Sequence, residues 1–342
     1  MNNRNFWRSK NVLLTGGTGF VGGNLIKKLL EYNCNIFCII RNDNPQSFLS
    51  IENLNKEIRT IKGDIIDKDL IYNTITEQHI DIIFHLAAQV EVGVGLTNPY
   101  LTFETNIRGT YNLLEACRLA KNSGQEILSI IVASSDKAYG EYPIDKMPYQ
   151  EDYPLLPKYP YDTSKACADL ICQSYTIDSY KLPIITTRFS NIYGPGQMNF
   201  SAIIPDAIRS GLGYSKFIPR SDGSMVRDFI YAEDVADLYI KISEELALNP
   251  SLLRGHIFNA GNNDPISVKE IIIKVYNILD NKSDLNDILL QMNNKTTTGE
   301  IQYQHMSFEK VEKYFNWRPT TTFEVGLSKS INWYKDFLEK IF

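Results

Sequence analysis

The sequence predicts an α/β protein: a doubly wound parallel sheet followed by a smaller α/β lobe. Three observations carry this. Short apolar runs alternate with helical patterns through the first half of the chain, a glycine-rich turn joins the first run to the first helix, and the regularity fades after Asn191. We expect one domain over residues 1–190 and a second over 191–342, interleaved with the first because no low-complexity linker separates them.

At 342 residues the chain is long enough to bury a large core. Its 43% hydrophobic and 22% charged composition is that of an ordinary globular protein. A net charge of -5 argues against nucleic acid as a partner, because phosphate backbones want a basic surface. A small anionic ligand needs only a few local cations and stays open. Five cysteines (Cys34, Cys38, Cys117, Cys167, Cys172) lack CxxC spacing and fall in apolar patterns, so buried free thiols are expected. Four histidines without metal spacing predict no metal. Met1–Lys10 is polar and basic with no apolar stretch after it, and no run reaches membrane-span length. A cytoplasmic setting without membrane attachment is expected.

Asn11–Thr15 reads as a buried strand, Gly16-Gly17-Thr18-Gly19-Phe20-Val21-Gly22 as a turn, Asn24–Tyr32 as a helix and Asn35–Ile40 as a second strand. Strand, glycine turn, helix, strand is the context in which GxxGxxG signals a Rossmann-type dinucleotide site. Glycine lets the backbone approach a pyrophosphate, and the helix N-terminus presents free N–H groups. Gly16, Thr18, Gly19, Phe20 and Val21 are therefore candidate cofactor contacts. An acid at the end of the second strand would favour NAD, but Arg41 stands there. Arg41 faces a 2′-phosphate or is a solvated strand-end charge, which leaves NAD against NADP open. Asp64, next to Ile65 after a third strand at Glu57–Ile61, either accepts from an adenine amine or shapes a turn. Asp67 caps a helix to Gln78. Asp81–Leu86 forms a fourth strand, and Leu86, Ala87, Ala88 and Gln89 would let a dinucleotide lie against the backbone. His85 reads as a hydrogen-bonded core histidine.

Asn98–Asn122 is a long helix leading to a fifth strand, Leu128–Ala133, which ends in Ser134-Ser135-Asp136-Lys137. In open parallel sheets ligands bind at the carboxyl ends of strands. This exit therefore places a hydroxyl, a carboxylate and an amine at the functional edge. A proline-rich loop, Pro154–Pro160, precedes a helix from Tyr161 to Tyr180. Tyr161 and Lys165 share a face of that helix, and an ammonium beside a phenol would lower its pKa. Pro183–Arg188 is a sixth strand. Beyond Asn191 we expect a helix over Asn199–Ser210, a short strand at Lys216–Ile218, a helix over Ala232–Ala247, a strand at His256–Asn259, and helices from Ser267 and Phe323.

In chain order, the motifs Thr15–Gly22, His85-Leu86-Ala87-Ala88, Asn106–Thr110, Tyr161/Lys165, and Arg227–Tyr231 with Asp234-Val235-Ala236 resemble the extended short-chain dehydrogenase/reductase family over nearly the whole chain. Within it, Ser135-Asp136-Lys137 looks like the hydroxyl-acid-base set of nucleotide-sugar 4,6-dehydratases. The form is similar to that of CDP-glucose 4,6-dehydratases, with GDP-sugar dehydratases next. The chain departs from that pattern at Arg41 and around Gln197–Ser201.

The resemblance implies an NAD(P)-dependent lyase acting on an NDP-hexose. Tyr161, aided by Lys165 and Ser135, takes the C4 hydroxyl proton as hydride leaves C4. Lys137 removes the C5 proton, or only stabilises charge there. Asp136 protonates the departing C6 hydroxyl, and hydride returns to C6. Tyr161 and Lys165 also contact the cofactor, and NAD is favoured. The implied ligand is a nucleotide-diphosphate sugar, CDP- or GDP-linked. Ser135, Asn191, Arg220 and Arg227 bind it, while Arg209 is a solvated helix-face charge. Relatives pair through the Asn98–Asn122 and Tyr159–Tyr180 helices, so a homodimer or dimer of dimers is implied. The alternatives are an epimerase or ketoreductase, which would leave Asp136 and Lys137 no elimination to perform, and a non-catalytic cofactor-binding protein, which would not need the intact Tyr/Lys/Ser set.

Overall fold

A computed structural model describes residues 4–293, 295–296 and 301–341. Strands β1 (Asn11–Thr15), β2 (Asn35–Ile40), β3 (Arg59–Lys62), β4 (Ile82–His85), β5 (Ser129–Ala133) and β6 (Ile184–Phe189) alternate with helices. Three two- or three-residue strands follow, β7 (Asn191–Tyr193), β8 (Val226–Arg227) and β9 (Phe229–Tyr231), then β10 (Ile257–Ala260) and β11 (Ile266–Ser267). Among the described residues the main sheet has seven strands in the order β3-β2-β1-β4-β5-β6-β10. Every neighbouring pair in it is parallel. The order reverses between β1 and β4, which makes that crevice the topological switch point.

Strand periodicity builds the core on both faces. Val12, Leu14, Phe84, Ile131 and Ile185 point to one face, where Leu25, Ile26 and Leu29 of the Phe20–Leu29 helix meet Val235, Leu238 and Ile242 of the Ala232–Leu248 helix. Leu13, Ile83, Ile130, Val132 and Ile184 point to the other, under Ile71, Ile75, Leu113, Leu114, Cys117 and Cys172. A separate apolar cluster joins Tyr193, Ile208, Phe229, Ile271, Val275, Phe323, Leu327 and Tyr334. The C-terminal half thus supplies a second core, a sheet strand (β10) and a helix covering the first core.

Several elements differ from the sequence expectation. The helix after the glycine turn begins at Phe20 rather than Asn24, since Gly22 and Gly23 are helical residues, with Gly22 packed against Gly16 and Gly17 too tightly for a side chain. The third strand is displaced to Arg59–Lys62 by its pairing with Phe37–Ile40. The expected Asn98–Asn122 helix runs on from Pro99–Phe103 to Gly109–Asn122 through a π turn over Glu104–Arg108. The Tyr161 helix stops at Tyr175. Lys216–Ile218 forms no strand, having no neighbour to pair with; Phe217 alone is buried there.

One buried polar network holds the sheet edge together. Arg188 on β6 makes a bidentate pair with Asp169 at 2.7 and 3.0 Å, both side chains at most 4% exposed. Its Nη1 donates to the Tyr139 phenol at 2.8 Å, and that phenol donates to Asn259 on β10 at 2.8 Å. Removing one partner strands a buried charge. Asp169→Ala is expected to destabilise the fold by about 3–5 kcal/mol, read from the shift in urea unfolding free energy relative to wild type.

Candidate active site

At the switch point the glycine turn presses against the end of β4. Gly16 has φ +80°, and a Cβ there would lie 2.6 Å from Ala87 N. A Cβ on Gly22 would lie 2.3 Å from Gly16 O, so turn and helix pack at a distance only glycine permits. Gly19 caps the Phe20–Leu29 helix without a side-chain hydrogen bond, and no acidic residue sits in its first turn. The helix therefore presents backbone N–H groups and the positive end of its dipole. Leu86, Ala87 and Ala88 line the opposite wall with little bulk. A dinucleotide pyrophosphate fits this cradle. Asp64 accepts from Ile66 N at 3.2 Å and lies 3.8 Å from Arg41 Nη1, so both stand at the rim beyond β2, next to Ile65.

A hydrogen-bond chain links this wall to the reactive helix. Thr110 Oγ1 donates to Asn106 O at 2.6 Å, so His85 Nε2, 3.1 Å away, must be its donor. His85 Nδ1 then accepts from Thr15 Oγ1 at 2.7 Å. Burial, with Lys165 nearby, pushes His85 down to about 3, in keeping with a neutral structural ring. Asn106 clamps Gln89 through Gln89 N at 2.7 Å and Gln89 O at 2.9 Å, and donates to Ser164 Oγ at 2.8 Å. The π turn places the Asn106 amide between these partners.

β5 delivers Ser135-Asp136-Lys137 into a 3₁₀ turn, Asp136–Tyr139. Ser135 Oγ accepts from Lys137 N at 3.2 Å and donates to Asp136 Oδ1 at 3.0 Å. Tyr161, in the first turn of the Pro160–Tyr175 helix, is buried beside them. Burial raises its phenol above the ordinary range, while the Ser135 hydroxyl draws it down. The neighbouring ammonium expected from the four-residue spacing is not among the influences on Tyr161. Lys165 Nζ instead donates to Ala133 O at 2.8 Å at the end of β5, and burial pushes Lys165 down to about 8. The structure thus gathers Ser135, Asp136, Lys137, Tyr161 and Lys165 around one strand end.

From the second lobe, Asn191 and Arg227 bracket Asp228. Asn191 Nδ2 donates to Asp228 O at 3.2 Å, and the largely buried Arg227 donates to Val226 O at 2.9 Å. Arg227 also acts electrostatically on Tyr149, as does Asp136, which places it toward the reactive turn. Arg220 lies on an exposed bend, donating to Ser201 O at 3.2 Å, and no described contact joins it to the turn. Arg209 packs over the Phe200 ring and pairs with Asp206, so it is a helix-face charge.

Two side chains went unread in the sequence. Asp162, 3% exposed, interacts with both Lys137 and Asp136. Gln304, from the far end of the chain, accepts a hydrogen bond from Lys137 Nζ. Asp162 was legible in principle as an acid beside the tyrosine; Gln304 carries no local signal. Among the described residues, no three His, Cys, Asp or Glu side chains gather as a metal site, and no helix is long and apolar enough to cross a membrane.

A glycine cradle at the switch point, with a tyrosine and a lysine one helical turn apart beneath the next strand ends, defines an extended short-chain dehydrogenase/reductase. The chain matches the family described as GDP-mannose 4,6 dehydratase over residues 13–330. It belongs to the nucleotide-sugar 4,6-dehydratases. It is 31% identical over 336 residues to the dTDP-D-glucose 4,6-dehydratase of Homo sapiens, covering 96% of this chain and 91% of that protein. A trifunctional UDP-glucose 4,6-dehydratase/3,5-epimerase/reductase of Arabidopsis thaliana is 32% identical over 334 residues and 95% of this chain, which spans 47% of that protein's length. The structure of dTDP-glucose 4,6-dehydratase from Bacillus anthracis in complex with NAD superposes with a TM-score of 0.79 at 27% identity, covering 97% of this chain and 98% of that one.

Burial pushes Asp162 up to about 6 from 3.8, opposed by Lys137 and reinforced by Asp136. The folded state then holds a proton that the unfolded chain releases between these values. Its stabilising contribution is complete below the lower value and lost as pH rises through the upper one. Asp162→Asn is expected to make the fall in stability over about pH 4–6 shallower than in wild type, measured by urea unfolding of both proteins across that window.

Proposed function

We propose that the protein is an NAD-dependent NDP-hexose 4,6-dehydratase, forming an NDP-4-keto-6-deoxy sugar by oxidation at C4, loss of water across C5–C6 and reduction at C6. The observation that carries this is the turn after β5, where Ser135, Asp136 and Lys137 stand beside Tyr161. Oxidation alone would employ only the hydroxyl and the phenol. An elimination needs an acid and a base as well, and the turn supplies one of each.

Gly16, Thr18, Gly19, Phe20 and Val21 would hold the pyrophosphate, Asp64 and Ile65 the adenine end, and Leu86 to Gln89 the wall. A bound nicotinamide supplies reversible two-electron chemistry at C4 and then at C6. Arg41 is opposed by Asp64 at the rim, which supports NAD over a cofactor with an extra phosphate, as does the NAD complex of the Bacillus anthracis relative. Tyr161 takes the C4 hydroxyl proton, with Ser135 hydrogen-bonding to the phenolate and Lys165 held beneath by the Ala133 carbonyl. The resulting 4-ketone acidifies C5. Lys137 removes the C5 proton, the C–H electron pair forms the C5–C6 double bond, and Asp136 protonates the departing C6 hydroxyl so that water leaves. Arg227 and Asn191 hold the diphosphate at the lobe boundary, with Arg220 toward the nucleotide. Burial of Asp136 and Asp162 beside Lys137 supports the proton-transfer roles.

The Ser-Asp-Lys form favours a CDP- or GDP-linked sugar, whereas the Homo sapiens and Arabidopsis thaliana relatives are named for dTDP- and UDP-glucose. A homodimer is part of this reading. Tyr100, Leu101 and Leu170, exposed on the Pro99–Phe103 and Pro160–Tyr175 helices, support pairing through that face. A cytoplasmic setting is supported by five free cysteines.

Incubation with CDP-, GDP-, UDP- and dTDP-hexoses should yield, from one of them, a product lighter by one water; unchanged mass would instead indicate an epimerase. Lys137→Ala is expected to abolish dehydration while substrate still binds by calorimetry, and near-native turnover would remove Lys137 from the chemistry. Gly16→Ala should weaken NAD binding about tenfold or more, measured by fluorescence titration.

A further inference from the structure

Lys137 is met by a side chain that arrives from the other end of the molecule. Residues 302–307 run extended between two partners: Val226 N donates to Gln302 O at 2.9 Å and Gln304 N to Val226 O at 3.1 Å. On the opposite side Tyr149 N donates to His305 O at 3.0 Å, and Met306 is buried against Tyr139 and Tyr149. This double attachment fixes the backbone of Gln304, whose side chain is 1% exposed. Its Oε1 accepts from Lys137 Nζ. The amide orientation is dictated by chemistry, because an ammonium or amine proton must face an acceptor. The remaining Nε2 faces the Tyr149 phenol.

We infer that Gln304 is a positioning residue for Lys137, holding its Nζ in place for the proton transfer at C5. The inference rests on the reading of Lys137 as the C5 base. A neutral amide suits this task. It accepts from both the ammonium and the free amine, and it favours the ammonium less than a carboxylate at the same place, which would hinder loss of its proton. The neighbouring Asp136 and Asp162 carboxyl groups already set the acid-base surroundings of Lys137. Gln304 fixes the geometry without adding a charge. It also makes the C-terminal segment part of the elimination machinery, whereas oxidation at C4 uses Tyr161, Ser135 and Lys165 and not Lys137.

The test compares Gln304→Met, which keeps volume but loses the acceptor, with Gln304→Glu and Lys137→Met, all in full-length protein with unfolding midpoints recorded. On mixing with the accepted NDP-hexose, Gln304→Met should still generate reduced cofactor at a near-native rate, with KM within about threefold of wild type. Dehydrated product, and solvent deuterium incorporated at C5, should fall about 10- to 100-fold. Gln304→Glu should restore part of this loss, because it returns an acceptor but favours the ammonium. Near-native product formation by Gln304→Met, with Lys137→Met blocked at the C5 step, would overturn the positioning role and leave the base assignment standing. Equal loss of oxidation and elimination in Gln304→Met with no rescue by Gln304→Glu would show a merely structural residue and also overturn it. Deuterium incorporation persisting in Lys137→Met would remove the base assignment and the inference together.

Discussion

The buried pair between Arg188 and Asp169 is the constraint on which the rest of the site depends. Arg188 belongs to β6 and Asp169 to the helix that carries Tyr161 and Lys165, so the pair sets how that helix sits on the sheet. The same guanidinium lies over the Tyr139 ring and hydrogen-bonds its phenol, and Tyr139 ends the turn that begins at Asp136. One cation therefore fixes the reactive tyrosine and the reactive turn relative to each other. Two charges this deeply buried are tolerated because every strong donor of Arg188 finds a carboxylate, a phenol or the Glu151 carbonyl.

Around this anchor the site is organised by burial. Thr15, His85, Thr110 and Asn106 form a neutral relay that ties the glycine turn, β4 and the catalytic helix together. Because His85 is locked neutral between two hydroxyls, it adds no positive charge beside Lys165. Tyr161, Asp162 and Lys165 are each displaced from their ordinary ionisation in the direction that favours the neutral form. A low-dielectric pocket of this kind makes each remaining hydrogen bond strong and each charge responsive to its neighbours.

The C-terminal half of the chain completes the main sheet and the surroundings of the turn after β5. β10 extends the main sheet, Asn259 on it receives the Tyr139 phenol, and the 302–307 segment closes over the reactive turn. Parts of the chain more than 150 residues apart meet at Lys137. The aromatic stack of Tyr139 on Tyr149, 4.7 Å between centroids, forms the apolar backing of that meeting point.

Local pattern made much of this protein legible. Short continuous apolar runs marked β1, β2, β4, β5 and β6 as strands buried on both faces. The glycine spacing marked the switch point, and Ser135-Asp136-Lys137 with Tyr161 and Lys165 marked the side chains that gather at the end of β5. These are properties of short stretches, where side-chain type and period suffice. What the tertiary structure decided is where distant polar groups end up. The Lys165 amine turned to the Ala133 carbonyl rather than to Tyr161, and the long helix widened into a π turn at Glu104–Arg108, from which the Asn106 amide bridges Gln89 and Ser164. Lys216–Ile218 stayed irregular for want of a pairing strand, and Gln304 was carried to Lys137. Such outcomes follow from which buried donor reaches which acceptor after the chain packs, and that choice is set by three-dimensional proximity, which sequence spacing does not encode.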